Sequence, residues 1–211
     1  MDNKKAIAEK LLQINAIKLS VDKPFIWASG WKSPIYCDNR KALSFPDIRD
    51  FIKSALCQTV AAYYEDAEMI AGVATAGIAW GALVSDQLQL PYIYVRPKPK
   101  EHGLGNQVEG FIEKGKKVVI IEDLISTGKS SLLVAEVLQQ EGLTVSGMVS
   151  IFSYGFGAAN DAFDRAKVQL HSLSNYDSLI SLAIEKNYVS PGDQKTLLNW
   201  RVDPANWGAK S

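Results

Sequence analysis

Apolar positions along this chain follow two rhythms, and the switches between them mark out the elements. From residue 3 to 14, Ile7, Leu11, Leu12 and Ile14 recur on one side of a helix. From Phe25 to Asp38 the aromatics alternate instead, interrupted by Ser29-Gly30 and Ser33-Pro34. That pattern predicts two short strands joined by a turn, a small N-terminal hood ahead of the main body. Phe45-Pro46 then opens a helix running to about Tyr64.

Strand-length segments follow at Met69 to Ala74, Pro91 to Arg96, Val118 to Ile121, Val145 to Phe152 and Val168 to Leu173, with Val118 to Ile121 a continuous β-branched run. Runs of this length without a polar face fit strands buried on both sides of a parallel sheet. Helical patterns lie between and after them, over Ile78 to Leu88, 130–141, near 158–166, near 176–186 and near 191–200. Strand and helix in alternation imply an α/β fold, a doubly wound parallel sheet flanked by helices with right-handed crossovers. The 211 residues fit a single domain over 1–211, with the hood (about 1–45) and the C-terminal helices set against a core of about 46–175.

The chemistry concentrates on residues 117–131. The run Val118 to Ile121 is closed by two adjacent carboxylates, Glu122 and Asp123, expected at the carboxyl end of the strand, where open α/β sheets bind ligands. Ser126-Thr127-Gly128-Lys129-Ser130-Ser131 leads from there into the helical run Leu132 to Leu138. Strand, acid pair, hydroxyl-rich loop and helix together describe a phosphate cradle with acids beside it. Gly128-Lys129-Ser130 resembles the end of a P-loop, but the first glycine of that motif would fall at position 123, which is Asp. A carboxylate there denies the backbone approach that glycine permits and repels polyphosphate. A sugar phosphate fits better, with Glu122 and Asp123 accepting hydrogen bonds from its hydroxyls.

Residues 96–110 have almost no apolar content, and Arg96, Lys98, Lys100 and His102 fall at every second position. In an extended segment that spacing puts all four on one side. Glycines at 103, 105 and 110 permit hinge-like changes, and Val108 rules out a dinucleotide fingerprint. The expectation is a lid that closes over a polyanion, excludes water and neutralises a departing pyrophosphate.

Composition removes other classes. Lys+Arg and Asp+Glu are both 23, so a nucleic-acid binder relying on a basic excess is disfavoured. Cys37 and Cys57 lack metal-type spacing and read as thiols in a reducing compartment. The N-terminus has no apolar targeting core, and no run of 18 apolar residues occurs, so the expected location is cytoplasmic, with no membrane partner.

Residues 118–131 resemble the phosphoribosyl-pyrophosphate motif of the type I phosphoribosyltransferases. The resemblance extends over nearly the whole chain to the orotate phosphoribosyltransferases. Phe25, Ser29-Gly30 and Ser33-Pro34-Ile35-Tyr36 are similar to that family's hood segment, Gly72 to Gly77 to its pyrophosphate loop, and Arg96, Lys100 and His102 to its mobile basic loop. Three departures accompany the match: Ala28 stands where some members have Lys, Thr75 and Ala76 where some have Tyr-Lys, and Tyr154-Gly155-Phe156 where some use Arg.

The resemblance implies transfer of a phosphoribosyl group from phosphoribosyl pyrophosphate to orotate. Lys100, His102 and Asp123 are the implied catalytic residues. Phosphoribosyl pyrophosphate is expected at Arg96, Lys100, His102, Glu122, Asp123, Leu124, Ile125, Ser126, Thr127, Gly128, Lys129, Ser130, Thr75 and Ala76, and orotate at Ser126 and Tyr36. For Lys129 a phosphate contact and a solvent-facing position both stay open. Mg²⁺ is implied as a cofactor held mainly by the substrate, with no metal site built by the protein. A homodimer is implied, its mobile loop shared across subunits. Transfer to another base, or a ligand-sensing regulator on the same fold, are the alternatives.

Overall fold

The computed structural model describes residues 3–27, 29–99 and 107–207. Helix α1 (Asn3–Gln13) buries Ile7, Ala8, Leu11 and Leu12, the face its periodicity predicts. The hood that follows is two small antiparallel pairs. Strand β1 (Ile17–Leu19) pairs with β4 (Ile35–Cys37), and β2 (Phe25–Ile26) pairs with β3 (Lys32–Ser33). A 3-10 turn over Asn39–Ser44 leads into helix α2 (Pro46–Tyr63), whose proline sits in the first turn, where no N–H is needed.

The core then alternates as expected: β5 (Met69–Val73), α3 (Ala76–Leu88), β6 (Tyr92–Val95), β7 (Val108–Glu109), β8 (Lys117–Ile125), α4 (Lys129–Gln140), β9 (Thr144–Ser153), α5 (Gly157–Ala166) and β10 (Leu170–Asn175). Helices α6 (Tyr176–Glu185) and α7 (Gln194–Val202) close the chain. Six strands form one sheet in the order β10-β9-β8-β5-β6-β7. All neighbours are parallel except β6 and β7, so the expectation of a parallel sheet holds for its body, and an antiparallel edge strand is added. That edge strand lies in the stretch read as loop.

From β5 the chain crosses to β6 on one side, then returns to place β8 on the other. The order therefore reverses between β5 and β8, and a crevice is expected beyond their carboxyl ends. The strands beside this point are fully buried through Ile70, Val119, Ile120 and Ile121, with helices on both faces. The hood and α7 meet over an aromatic cluster. Trp200, fully buried, packs edge-on to Trp27 at 5.6 Å and Tyr154 at 5.7 Å, and its indole N–H donates to the Lys32 carbonyl at 3.2 Å. Among the described residues no helix is long and apolar enough to cross a membrane.

Candidate active site

Strand β8 runs four residues beyond the expected end at Ile121, because β9 continues beside it through Glu122↔Ser150, Leu124↔Phe152 and Ile125↔Ser153. Its pairing with β5 stops at Gly72↔Ile121. The acid pair thus lies within the strand, just past the point where one flanking strand has ended.

Glu122 is 5% exposed and already occupied: Oε1 accepts the Asp123 amide at 2.9 Å and Oε2 accepts the Ser131 hydroxyl at 2.9 Å. Both Glu122 oxygens therefore have a partner within the protein, and Asp123 is the more exposed of the two acids. Burial, then the neighbouring Asp123 charge, pushes the Glu122 carboxyl well above the usual range. Burial also raises Asp123, opposed by its hydrogen bond with Glu122 and by the Arg40 charge. Burial thus disfavours the charged form of both acids.

Beyond Ile125 the chain turns through Ser126-Thr127-Gly128 into α4. Gly128 adopts φ +77 and is buried against Phe163, and a Cβ there would lie 2.7 Å from that ring. Gly128, the N-cap residue, makes no side-chain hydrogen bond to the helix. The first-turn amides of α4 point out of the helix with its positive dipole end, an arrangement suited to a phosphate. Thr127, Lys129 and Ser130 are exposed at this turn. Lys129, with Thr127 and Ser130, lines a hollow of about 650 Å³ against Leu133 and Glu136.

Across the switch point, β5 runs into Thr75 and Ala76 through a cis Ala74–Thr75 peptide bond. Thr75 is exposed at the start of α3, and Gly77 approaches β8 so closely that a Cβ would meet the Ile121 carbonyl at 2.6 Å. The pyrophosphate-loop candidates and the acid pair therefore face one crevice from adjacent strands.

A second hollow of about 250 Å³ opens beside the acid pair, lined by Trp27, Tyr36, Cys37, Leu124, Ser126 and Tyr154, with Ile26 at its rim. Ser126 and Tyr36, expected to meet a base, are both here. Leu124, expected to meet the sugar phosphate, also lines this hollow. Ile125 is fully buried and its carbonyl accepts the Tyr154 amide at 3.0 Å, so its side chain belongs to the core. Trp27 and Tyr154 were not singled out as site residues. Their rings lie 5.0 Å apart, tilted by 37°. The aromatic alternation of the hood and the position of Tyr154 just past β9 were the available signals.

Arg96 stands at the base of the basic stretch, its amide and carbonyl both bonded to Gln107 at 2.9 Å and its guanidinium 3.6 Å from Glu109. Lys98 is exposed. Lys100, His102 and Ala28 lie outside the described residues.

The model of the phosphoribosyl transferase domain matches residues 43–180. The orotate phosphoribosyltransferase of Cytophaga hutchinsonii is 52% identical over 207 residues, 98% of this chain and 99% of that protein. That of Phocaeicola vulgatus is 52% identical over 205 residues, 97% of each chain. The crystal structure of orotate phosphoribosyltransferase from Aeropyrum pernix superposes with a TM-score of 0.75 at 29% identity, covering 87% of this chain and 99% of that one. Family model, relatives and solved structure agree over most of the chain, and the chain belongs to the phosphoribosyl transferase family, among the orotate phosphoribosyltransferases.

Proposed function

We propose that this site joins N1 of orotate to C1′ of phosphoribosyl pyrophosphate, releasing pyrophosphate and forming orotidine 5′-phosphate, a step of pyrimidine biosynthesis. The observation that carries this reading is the adjacency of three subsites at one switch point: the aromatic hollow, Asp123 and the α4 N-terminus. A planar ring fits between Trp27, Tyr36 and Tyr154, and the Ser126 hydroxyl can bond a ring carbonyl. Asp123 accepts from the ribose hydroxyls and favours the positive charge that develops at C1′ as the leaving group departs. The first-turn amides of α4 take the 5′-phosphate.

No protein nucleophile is required. Positioning and exclusion of water do the remaining work, and Arg96, Lys100 and His102 stabilise the leaving pyrophosphate, with His102 as proton donor. Mg²⁺ suits the donor set, because Asp123 offers hard oxygen while Glu122 is occupied within the protein. Among the described residues no cluster of three or more His, Cys, Asp or Glu is arranged for a metal, so the ion would be carried chiefly by substrate oxygens and water. Bound here, it would supply positive charge to offset the negative charge of the leaving group, with Asp123 as the protein oxygen able to help hold it. The reading includes a cytoplasmic homodimer in which the basic loop of each protomer serves the partner's site, and no nucleic-acid or membrane partner.

The deciding experiment follows ultraviolet absorbance after mixing enzyme, phosphoribosyl pyrophosphate and orotate, with Mg²⁺ present or omitted. A change that requires both orotate and Mg²⁺ is expected. Turnover with a purine in place of orotate would move the assignment to another base.

A further inference from the structure

Asn39 is a fully buried polar residue, far in sequence from the acid pair, and both ends of its amide are engaged. Its Nδ2 donates to the Asp123 carbonyl at 2.7 Å, and its Oδ1 accepts from the Cys37 thiol at 3.2 Å. Cys37 in turn lines the aromatic hollow beside Tyr36 and Ser126. A continuous path of hydrogen bonds therefore runs from the wall of the base hollow, through one buried amide, to the backbone of the residue that faces the ribose.

The need for such a support follows from the sheet. Pairing of β5 with β8 ends at Ile121, so Asp123 lies where β8 has lost that neighbour. Side chains stand in at both of its backbone groups: Glu122 Oε1 accepts from its N–H, and Asn39 donates to its carbonyl. Fixing both peptide groups fixes the direction in which the Asp123 carboxylate leaves the strand. The thiol performs its part as a neutral donor. Burial, then the charges of Asp123 and Asp38, pushes Cys37 well above the usual thiol range, so the S–H persists and holds the Asn39 amide in one orientation.

We propose that Asn39 is a positioning residue for the transfer reaction, aiming Asp123 at the ribose, with the Cys37 thiol fixing the orientation of its amide. The proposal rests on the orotate-transfer reading above. Its chemical content is the Nδ2–H to Asp123 bond, which serine or alanine at 39 cannot make in the same geometry. Aspartate, nearly the same size, would set an acceptor against a carbonyl.

The test measures kcat, both KM values and the thermal midpoint for wild type, Asn39→Ala, Asn39→Asp, Cys37→Ala and Cys37→Ser. Small misplacement of a catalytic group costs rate steeply, so Asn39→Ala and Asn39→Asp are expected to lower kcat by ~10²-fold with KM for orotate changed little. Cys37→Ser retains a donor to Oδ1 and is expected to turn over several-fold faster than Cys37→Ala. This Ser-versus-Ala contrast stands even where a variant at 39 fails to fold. Equal kcat in Cys37→Ser and Cys37→Ala, or an Asn39→Ala enzyme that folds and turns over like wild type, would overturn the proposal. A wild-type protein inactive with orotate would instead count against the reaction itself.

Discussion

The Ser131 hydroxyl donates to Glu122 Oε2 at 2.9 Å, joining the first turn of α4 to the end of β8 across nine residues. This bond couples the phosphate end of the site to the acid pair, and both partners are buried. Ser131→Ala leaves a carboxyl oxygen short of a donor in a dry environment, at a cost of about 1–3 kcal/mol. It also removes a bond that favours the charged form, so Glu122 moves higher still. Urea denaturation is expected to show the lost stability. Weaker phosphoribosyl pyrophosphate binding, read by calorimetry, should accompany it because the helix end is no longer fixed.

Glu122 sets a pH dependence whose sign follows from its direction of shift. Its carboxyl is raised in the folded protein, while an unfolded glutamate titrates near ~4.3. Between those values the native state holds the extra proton, so this group's stabilising contribution is complete below ~4.3 and is lost as pH rises through the folded value. Glu122→Gln mimics the protonated form, keeping an oxygen for the Asp123 amide and offering N–H to Ser131. The variant is expected to lose that fall in Tm above pH ~4.3 and to match or exceed wild type at neutral pH. Thermal melts of both proteins across pH 4 to 8 make the comparison; parallel curves would show that Glu122 is ionised in the native state.

Gly128 supports the phosphate loop by being small and left-handed at once. Alanine at φ +77 carries backbone strain of about 1–3 kcal/mol, and its Cβ would overlap Phe163, 2.7 Å away. Gly128→Ala is therefore expected to destabilise the protein and to raise KM for phosphoribosyl pyrophosphate more than KM for orotate. Adding Phe163→Leu relieves the overlap and leaves the strain, so the double variant should recover only part of the loss. A double-mutant cycle in denaturant measures that coupling directly.

Much of this architecture is readable in local sequence. Helix α2 was bounded to within a residue by Pro46 at one end and Tyr63-Tyr64 at the other, and the β5-α3-β6 alternation follows from continuous apolar runs. What local reading loses depends on distant partners. Strand β8 passes through Glu122 and Asp123 because β9 lies alongside to Ser153, which no window around Ile121 contains. The two-residue strand Val108–Glu109 exists by pairing with Tyr94 and Val95. The expected strand from Val168 to Leu173 shifts to Leu170–Asn175, set by its register on Met148 to Ser153. Asn39 carries no local signal of its role, because its bond to Asp123 spans 84 positions. Within the site, the acids and the hydroxyl loop were visible as a motif, whereas the aromatic hollow required the hood, β8 and the residue after β9 to meet.

Sharing of the basic loop between subunits is open to a test by complementation. Asp123→Asn removes the charge proposed to face the ribose but keeps the side chain's size, so the protein should fold and bind phosphoribosyl pyrophosphate weakly. Lys100→Ala removes a cation from the loop and is expected to lower kcat by ~10²–10³ while leaving KM less affected. In the homodimer proposed above, each unmixed variant carries two defective sites. In a mixed dimer the outcome depends on which subunit's loop serves which site. If each loop crosses to its partner, the Lys100→Ala protomer keeps its own Asp123 and receives an intact Lys100, so one site is whole. If each loop serves its own protomer, every site keeps one defect and mixing restores nothing. Denaturing and refolding the two variants together, then assaying orotate turnover against the unmixed samples, separates the cases. Recovery well above either parent is expected from the crossed arrangement.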